Sequence, residues 1–270
     1  MLMHPKVSIV VTCYNLGSYL PEALESIEAY SPRTDIEVII VDDGSTDEAT
    51  NRVLDALDTE RYRVIRQQNT GLGKARNNGI RVARGEYIIP LDADNQLFSA
   101  QISRTIELLD SDPGIDVVYG DLQYFGEHSG RILVGPFNFG RMYRKNYIDA
   151  CAGFRKSLWE RLGGYDEHMP VMGFEDWDFW LRASVSGARF RYVPEVFFNY
   201  RVRHGSMLTH ANVERSRLVE YIFNKPELRF LHDLRLEHMR LLEIASKPPL
   251  TGREHLAMAK ALLWERLRKR

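Results

Sequence analysis

Acidic residues recur at short spacing in three clusters of this chain: Asp42-Asp43 with Asp47, Asp92-Ala-Asp94, and Glu175-Asp176-Trp-Asp178. Carboxylates so placed have two chemical uses. They can offer hard oxygen ligands to Mg²⁺ or Mn²⁺, with phosphate oxygens of a substrate completing the shell. One of them can instead take a proton from a hydroxyl as a general base. They also have structural uses, since an Asp after a strand caps a helix or closes a turn and acids favour a first helical turn. The structural use is the better account of Asp47, and it fits Glu175 and Asp178. For Asp92 and Asp94 the residues alone leave both uses open. Acids gathered at one edge repel a bare phosphate unless a divalent cation lies between them, so the clusters point to a metal rather than to an anion pocket.

The elements that must position these residues alternate. Val7-Ser-Ile-Val-Val-Thr12 is an apolar, β-branched run suited to a strand buried on both faces. Leu20, Ala23, Leu24 and Ile27 then form a helical stripe, stopped by Ser31-Pro32. Ile36 to Val41 is a second strand, and Ser45-Thr-Asp-Glu48 reads as a capping box for a helix carrying Val53, Leu54 and Leu57. The alternation continues through 62–66, 72–83, 87–91, 102–109 and 117–119. It predicts an α/β fold with a mainly parallel sheet and helices on both faces. Ligands bind such sheets beyond the carboxyl ends of strands, where Thr12-Cys-Tyr-Asn15, Asp42 to Asp47 and Asp92 to Asn95 fall. Further on, 119–134 reads as a hairpin, 154–162 as a short helix, Gly163-Gly164 as a turn, 175–186 as a helix and 190–200 as strand. After about residue 206 strand signals vanish, and Leu231, Leu234 and Leu241 are helix-spaced.

Composition narrows the function. The chain has 270 residues, a formal net charge of −1, 44% hydrophobic and 27% charged residues, which excludes disordered and fibrous classes. No apolar run reaches bilayer length and the start lacks a long apolar stretch, so neither a membrane span nor a signal peptide is expected. A cytoplasmic protein follows as the expectation. Cys13 and Cys151 are too few for a disulfide framework. The near-neutral total gives no support for a nucleic-acid binder, but it is a cancellation. Residues 1–213 hold 23 Lys+Arg against 29 Asp+Glu, and residues 214–270 hold 13 against 8. A P-loop is excluded, because Gln68 stands where its first glycine belongs and Ala75 where Ser or Thr should follow Gly73-Lys74. A dinucleotide fold is excluded because Thr-Cys-Tyr-Asn follows the first strand without glycine.

Taken in order, Val7 to Asn15, Val41 to Asp47, Gly71 to Gly79 with Ala75-Arg-Asn77, Leu91 to Asp94, Gly163-Gly-Tyr-Asp-Glu167 and Gly173-Phe-Glu-Asp-Trp-Asp-Phe-Trp180 resemble the inverting family 2 glycosyltransferases of the GT-A fold. The resemblance covers roughly residues 5 to 205. It implies a catalytic domain over 1–205, with about 1–120 binding the nucleotide-sugar and 121–205 holding the acceptor and the base, followed by a helical appendage over 206–270. The implied reaction is metal-dependent transfer of a sugar from a nucleotide donor, most often a UDP-sugar, to a hydroxyl acceptor in glycan or cell-surface polysaccharide synthesis.

Carried over residue by residue, Thr12 and Tyr14 would line the base pocket, Asp43 would accept from the base or ribose, and Arg76 would sit near the nucleotide. Asp92 would contact the ribose or the metal shell, and Asp94 would hold Mn²⁺ or Mg²⁺. Asp176 would be the general base. His204 resembles a further metal or phosphate contact, while Gly164, Glu175 and Trp177 are candidates for the sugar or acceptor wall; Trp180 reads as core. A sugar-phosphate nucleotidyltransferase and a catalytically silent nucleotide-sugar binder are the alternatives. Partners expected are the donor and a glycan or lipid-linked acceptor, but no nucleic acid. The basic tail, ending Trp264 to Arg270, is expected to pack or to form a homodimer through its helices, with peripheral membrane contact as the other option.

Overall fold

A computed structural model describes residues 4–203 and 211–246, with side chains given as far as residue 241. The run Val7–Cys13 forms β1 with every residue buried, as a strand covered on both faces requires. Strands β2 (Ile36–Asp42), β3 (Tyr62–Arg66) and β4 (Tyr87–Asp92) lie parallel to it in the order β3-β2-β1-β4. Helices α1 (Leu20–Glu28), α2 (Glu48–Asp55) and α3 (Leu72–Val82) make the crossovers. The order reverses at β1, so the carboxyl ends of β1 and β4 flank a topological switch point, where open α/β sheets bind ligands. Register brings the acids there: Thr12 pairs with Asp92, and Cys13 with Asp42.

Beyond β4 the sheet becomes mixed. After α4 (Ser99–Ser111), β6 (Val117–Gly126) turns back into β7 (Gly130–Ile132), a connection that permits only antiparallel pairing. Strand β8 (Gly153–Arg155) is antiparallel to both β4 and β6, while β9 (Phe190–Val202) runs parallel to β6 and antiparallel to the short β5 (Gln96–Leu97). The helices of this half are α5 (Phe139–Met142), α6 (Lys156–Arg161) and α7 (Glu175–Val185). Helix α7 buries Trp177, Phe179, Trp180 and Leu181, side chains that each contribute about 1.5–3 kcal/mol when removed from water. Trp180 packs edge-on against Phe154 and Phe179, as its assignment to the core expects.

Helix α1 buries Leu20, Ala23, Leu24 and Ile27, its apolar stripe. The N-terminus of α2 differs from the expected capping box. Asp47 is the cap and accepts from the N–H groups of Ala49 and Thr50, because Ser45 is engaged elsewhere: its hydroxyl accepts from Asn15 N–H and its own N–H donates to Asp42 Oδ1. Cys13 and Cys151 are both free and buried.

The chain divides into two compact units, Met1–Arg229 and Phe230–Arg270. The first therefore includes the helix Arg215–Phe223, in which Phe223 packs on Trp177 and Arg215 lies over the rings of Phe174 and Trp177. In the second, the described residues continue the helix that ends at Ser246. Among the described residues no helix is long and apolar enough to cross a membrane.

Candidate active site

Two chain turns at the switch point build the site from below. Asp43, just past β2, receives three N–H donors from the segment leading into α3: Gln67 Nε2 at 2.8 Å and Thr70 N at 2.9 Å on Oδ1, and Gly71 N at 3.0 Å on Oδ2. Gly71 has φ +96, which a side chain would strain, and that conformation turns its N–H toward Asp43. A carboxylate at this point also complements the positive end of the α3 dipole. Asp43 therefore holds the loop that bounds the crevice, and most of its acceptor capacity is used within the protein rather than left for a base or ribose. Tyr14, beyond β1, is 44% exposed.

Across the crevice, Asp92 Oδ1 accepts from Thr12 Oγ1 at 3.2 Å and from Arg76 Nη2 at 2.8 Å. Arg76 is 2% exposed, and its other terminal nitrogen donates to Glu175 Oε1 at 2.9 Å. Arg76, expected near the nucleotide, has both terminal nitrogens paired with carboxylates, and its side chain is a strut between β4 and α7. Burial alone would lower its proton affinity, but the charges of Asp92 and Glu175 outweigh that and raise it. Glu175 is likewise spoken for, since its Oε2 accepts from Gly173 N at 2.7 Å.

Asp94 is ion-paired with Arg203 Nε at 2.7 Å, and its backbone carbonyl accepts from Arg201 Nε. Burial, then the charge of Asp92, push its carboxyl upward against the pull of Arg203. A divalent cation would add to the compensation that Arg203 gives, and a carboxylate oxygen is the hard donor such an ion takes. Among the described residues no group of three His, Cys, Asp or Glu side chains could hold a metal. An ion bound by Asp94 would need a ligand's phosphate oxygens for much of its shell, a donor set Mg²⁺ and Mn²⁺ accept. His204 lies outside the described residues.

Asp176 is the second residue of α7, next to Glu175. Its Oδ2 accepts from Asn146 Nδ2 at 2.8 Å and its Oδ1 from Trp177 N at 2.7 Å. Burial pushes this carboxyl well above the ordinary Asp range, helped by the negative charges of Glu175 and Asp149 and opposed by Arg76. Asp149 is itself raised to about 6, by burial and then by Asp92. No ion pair among the described residues reaches Asp149 or Asp176. The third acid of the α7 turn is structural: Asp178 is fully buried between Arg182 Nε and Lys225 Nζ.

Trp177 and Gly164, candidates for the sugar or acceptor wall, are both buried. Trp177 is fully buried and donates its indole N–H to the Met142 carbonyl at 2.7 Å, so it forms core under the site and no acceptor wall. Gly164 (φ +87) faces inward: a Cβ there would stand 2.8 Å from Asn77 Oδ1. Its close approach serves Asn77, which joins α3 to the 159–167 segment by accepting from Trp159 Nε1 and Tyr165 N and donating to the Tyr165 carbonyl and Glu167. Asn146 and Asp149 carry no sequence signal. They lie in a loop without periodicity, and only the fold brings them to α7.

The arrangement offers a raised, unpaired carboxylate able to take a proton and a second carboxylate able to hold a cation, at one sheet edge. Comparisons with known proteins bear on the family and the fold. The model of "Glycosyl transferase family 2" matches residues 8–163. Chondroitin synthase of Escherichia coli is 31% identical over 208 residues, 74% of this chain and 29% of its own length. The chain thus spans under a third of that curated relative. Among solved structures, TarS of S. aureus in complex with UDP-GlcNAc superposes with a TM-score of 0.63 at 22% identity, covering 81% of this chain and 67% of that one. The mannosyltransferase PcManGT of Pyrobaculum calidifontis, in complex with GDP-Man and Mn²⁺, gives 0.60 at 21% identity, covering 96% and 80%. The fold is of the GT-A type, and the chain belongs to glycosyl transferase family 2.

Proposed function

We propose that this protein is a metal-dependent, inverting glycosyltransferase that moves a sugar from a UDP-sugar to a hydroxyl of a glycan or lipid-linked acceptor. The observation that carries the reading is the Arg76 strut, which fixes Asp92 at the end of β4 to Glu175, the neighbour of Asp176. A donor-side carboxylate and a base-side carboxylate are thereby held on one rigid support, and a displacement needs that fixed relation. The TarS and PcManGT structures are complexes with nucleoside-diphosphate sugars, which supports the donor class.

In this reading the acceptor oxygen forms a bond to the anomeric carbon as the bond from that carbon to the diphosphate breaks. The electron pair leaves with the diphosphate, and the hydroxyl proton goes to Asp176. Single displacement from the face opposite the leaving group inverts the anomeric centre. The upward push on the Asp176 carboxyl makes its ionised form a stronger base. It also sets the pH dependence: transfer needs the ionised form, so the rate falls as pH drops through the raised value. Asp94 would hold Mn²⁺ or Mg²⁺, which stabilises the charge developing on the diphosphate as a Lewis acid. Tyr14 presents an exposed ring on which the base would stack, and Thr12 orients Asp92 through its hydroxyl.

Asp176→Asn tests this. Removing the base while keeping the shape should lower turnover of an accepted UDP-sugar by about 10²–10⁴-fold and leave UDP binding within about twofold by calorimetry. Turnover near that of the unaltered protein would refute the assignment.

A further inference from the structure

Asp176 Oδ2 faces a neutral partner whose own geometry is unusual. Asn146 turns its amide nitrogen to the carboxylate, 2.8 Å away, and this leaves its amide oxygen buried with no hydrogen-bond partner. An unsatisfied buried carbonyl is costly, and turning the amide over would set that oxygen against the carboxylate instead. The charged groups that face Asp176 are Glu175 on its own helix, Asp149 from the loop that also carries Asn146, and Arg76 from α3; the titratable Tyr165 phenol lies near as well. Both acids oppose ionisation of Asp176, and the guanidinium of Arg76 is committed to Asp92 and Glu175.

We infer that Asn146 is a positioning residue for the base: its amide N–H keeps the Asp176 carboxylate ionised and fixed in one orientation. With Trp177 N on Oδ1 and Asn146 on Oδ2, each oxygen carries one donor, which prevents the carboxylate plane from rotating and leaves a lone pair for an incoming proton. The inference rests on the proposed role of Asp176 and adds the group that makes that role workable at neutral pH.

The experiment is the pH profile of UDP release from whichever of UDP-glucose, UDP-galactose or UDP-GlcNAc the intact protein turns over, for the unaltered protein, Asn146→Ala, Asn146→Asp and Asp176→Asn. A hydrogen bond to a charged group contributes about 1.5–3 kcal/mol. Its loss in Asn146→Ala should move the acid limb of kcat upward by about 1–2 pH units, with roughly tenfold or greater loss of rate below the limb and recovery above it. Asn146→Asp keeps the size but replaces the donor with a like charge, so its limb should lie higher still. The KM for the donor should change less than about threefold in both. Equal loss of rate at every pH with an unmoved limb, or the reverse order of the two variants, would overturn the inference. Should Asp176→Asn turn over normally, the underlying reading fails; should it be inactive while both Asn146 variants keep the original limb, the inference alone fails.

Discussion

Arg76→Met removes the guanidinium that joins β4 to α7 while keeping an unbranched side chain of similar length. Glu175 is 5% exposed at its side chain and Asp92 31% exposed, so the two carboxylates left behind are not equivalent. Breaking a buried pair by removing one partner costs about 3–5 kcal/mol, and Glu175 should carry most of that. Asp92, partly solvated, adds at most about 1 kcal/mol. For a unit of this size each kcal/mol moves Tm by about 2–4 °C, so the variant should melt roughly 6–20 °C lower. The control is Arg76→Met combined with Glu175→Gln, which removes the orphaned charge. It should recover about 2–3 kcal/mol, a coupling of the size contacting residues show. Calorimetry and urea unfolding of the three variants measure this directly. Were Arg76→Met to melt within about 2 °C of the unaltered protein while losing UDP binding, Arg76 would be a nucleotide contact and the strut argument would be wrong.

Two other outcomes follow from the same geometry. UDP with Mn²⁺, at about 100 times its Kd, should raise Tm by roughly 5–10 °C; EDTA or Asp94→Asn should abolish the metal-dependent part of that rise, and a shift that survives both would remove Asp94 from the metal. Gly164→Ala adds a Cβ 2.8 Å from Asn77 Oδ1 at φ +87, so it should cost about 2–4 kcal/mol in urea unfolding. Its rate per folded molecule should stay close to that of the unaltered protein, whereas a selective rise in donor KM would restore Gly164 to the sugar site.

The residues that were legible in the sequence are those whose signal is local. The β1 run is buried throughout and the α1 stripe faces inward, because periodicity records which faces meet water. Strand-end acids were legible as a set, since a parallel sheet brings the carboxyl ends of β1, β2 and β4 to one edge. What each acid faces was not, because partners come from distant segments. Arg76 meets Glu175 across 99 positions, and Asn146 meets Asp176 across 30. A motif arginine that ends between two carboxylates reads the same as one aimed at a phosphate. Trp177 shows the same ambiguity: a tryptophan between acidic residues suits a sugar ring and a buried core equally, and the Phe174 and Phe223 rings packed on it decide for the core.

The two carboxylates proposed for opposite tasks, Asp94 and Asp176, differ in the kind of partner the fold supplies. Both are raised by burial and by a neighbouring acid. Asp94 has a cation against it, Arg203, just past the end of β9 and 31% exposed at its side chain. Such a partner can give way to a metal ion, with positive charge replacing positive charge. Asp176 has neutral N–H donors only, and neutral donors lower a carboxylate's proton affinity less than a facing cation does, so it keeps more of its basicity. Asn146 placed against Asp94 would leave that site short of positive charge, and Arg203 placed against Asp176 would lower its basicity. Environments that separate two carboxylates in this way let one fold assign acid–base work to one and electrostatic work to the other, which is the division proposed for Asp176 and Asp94.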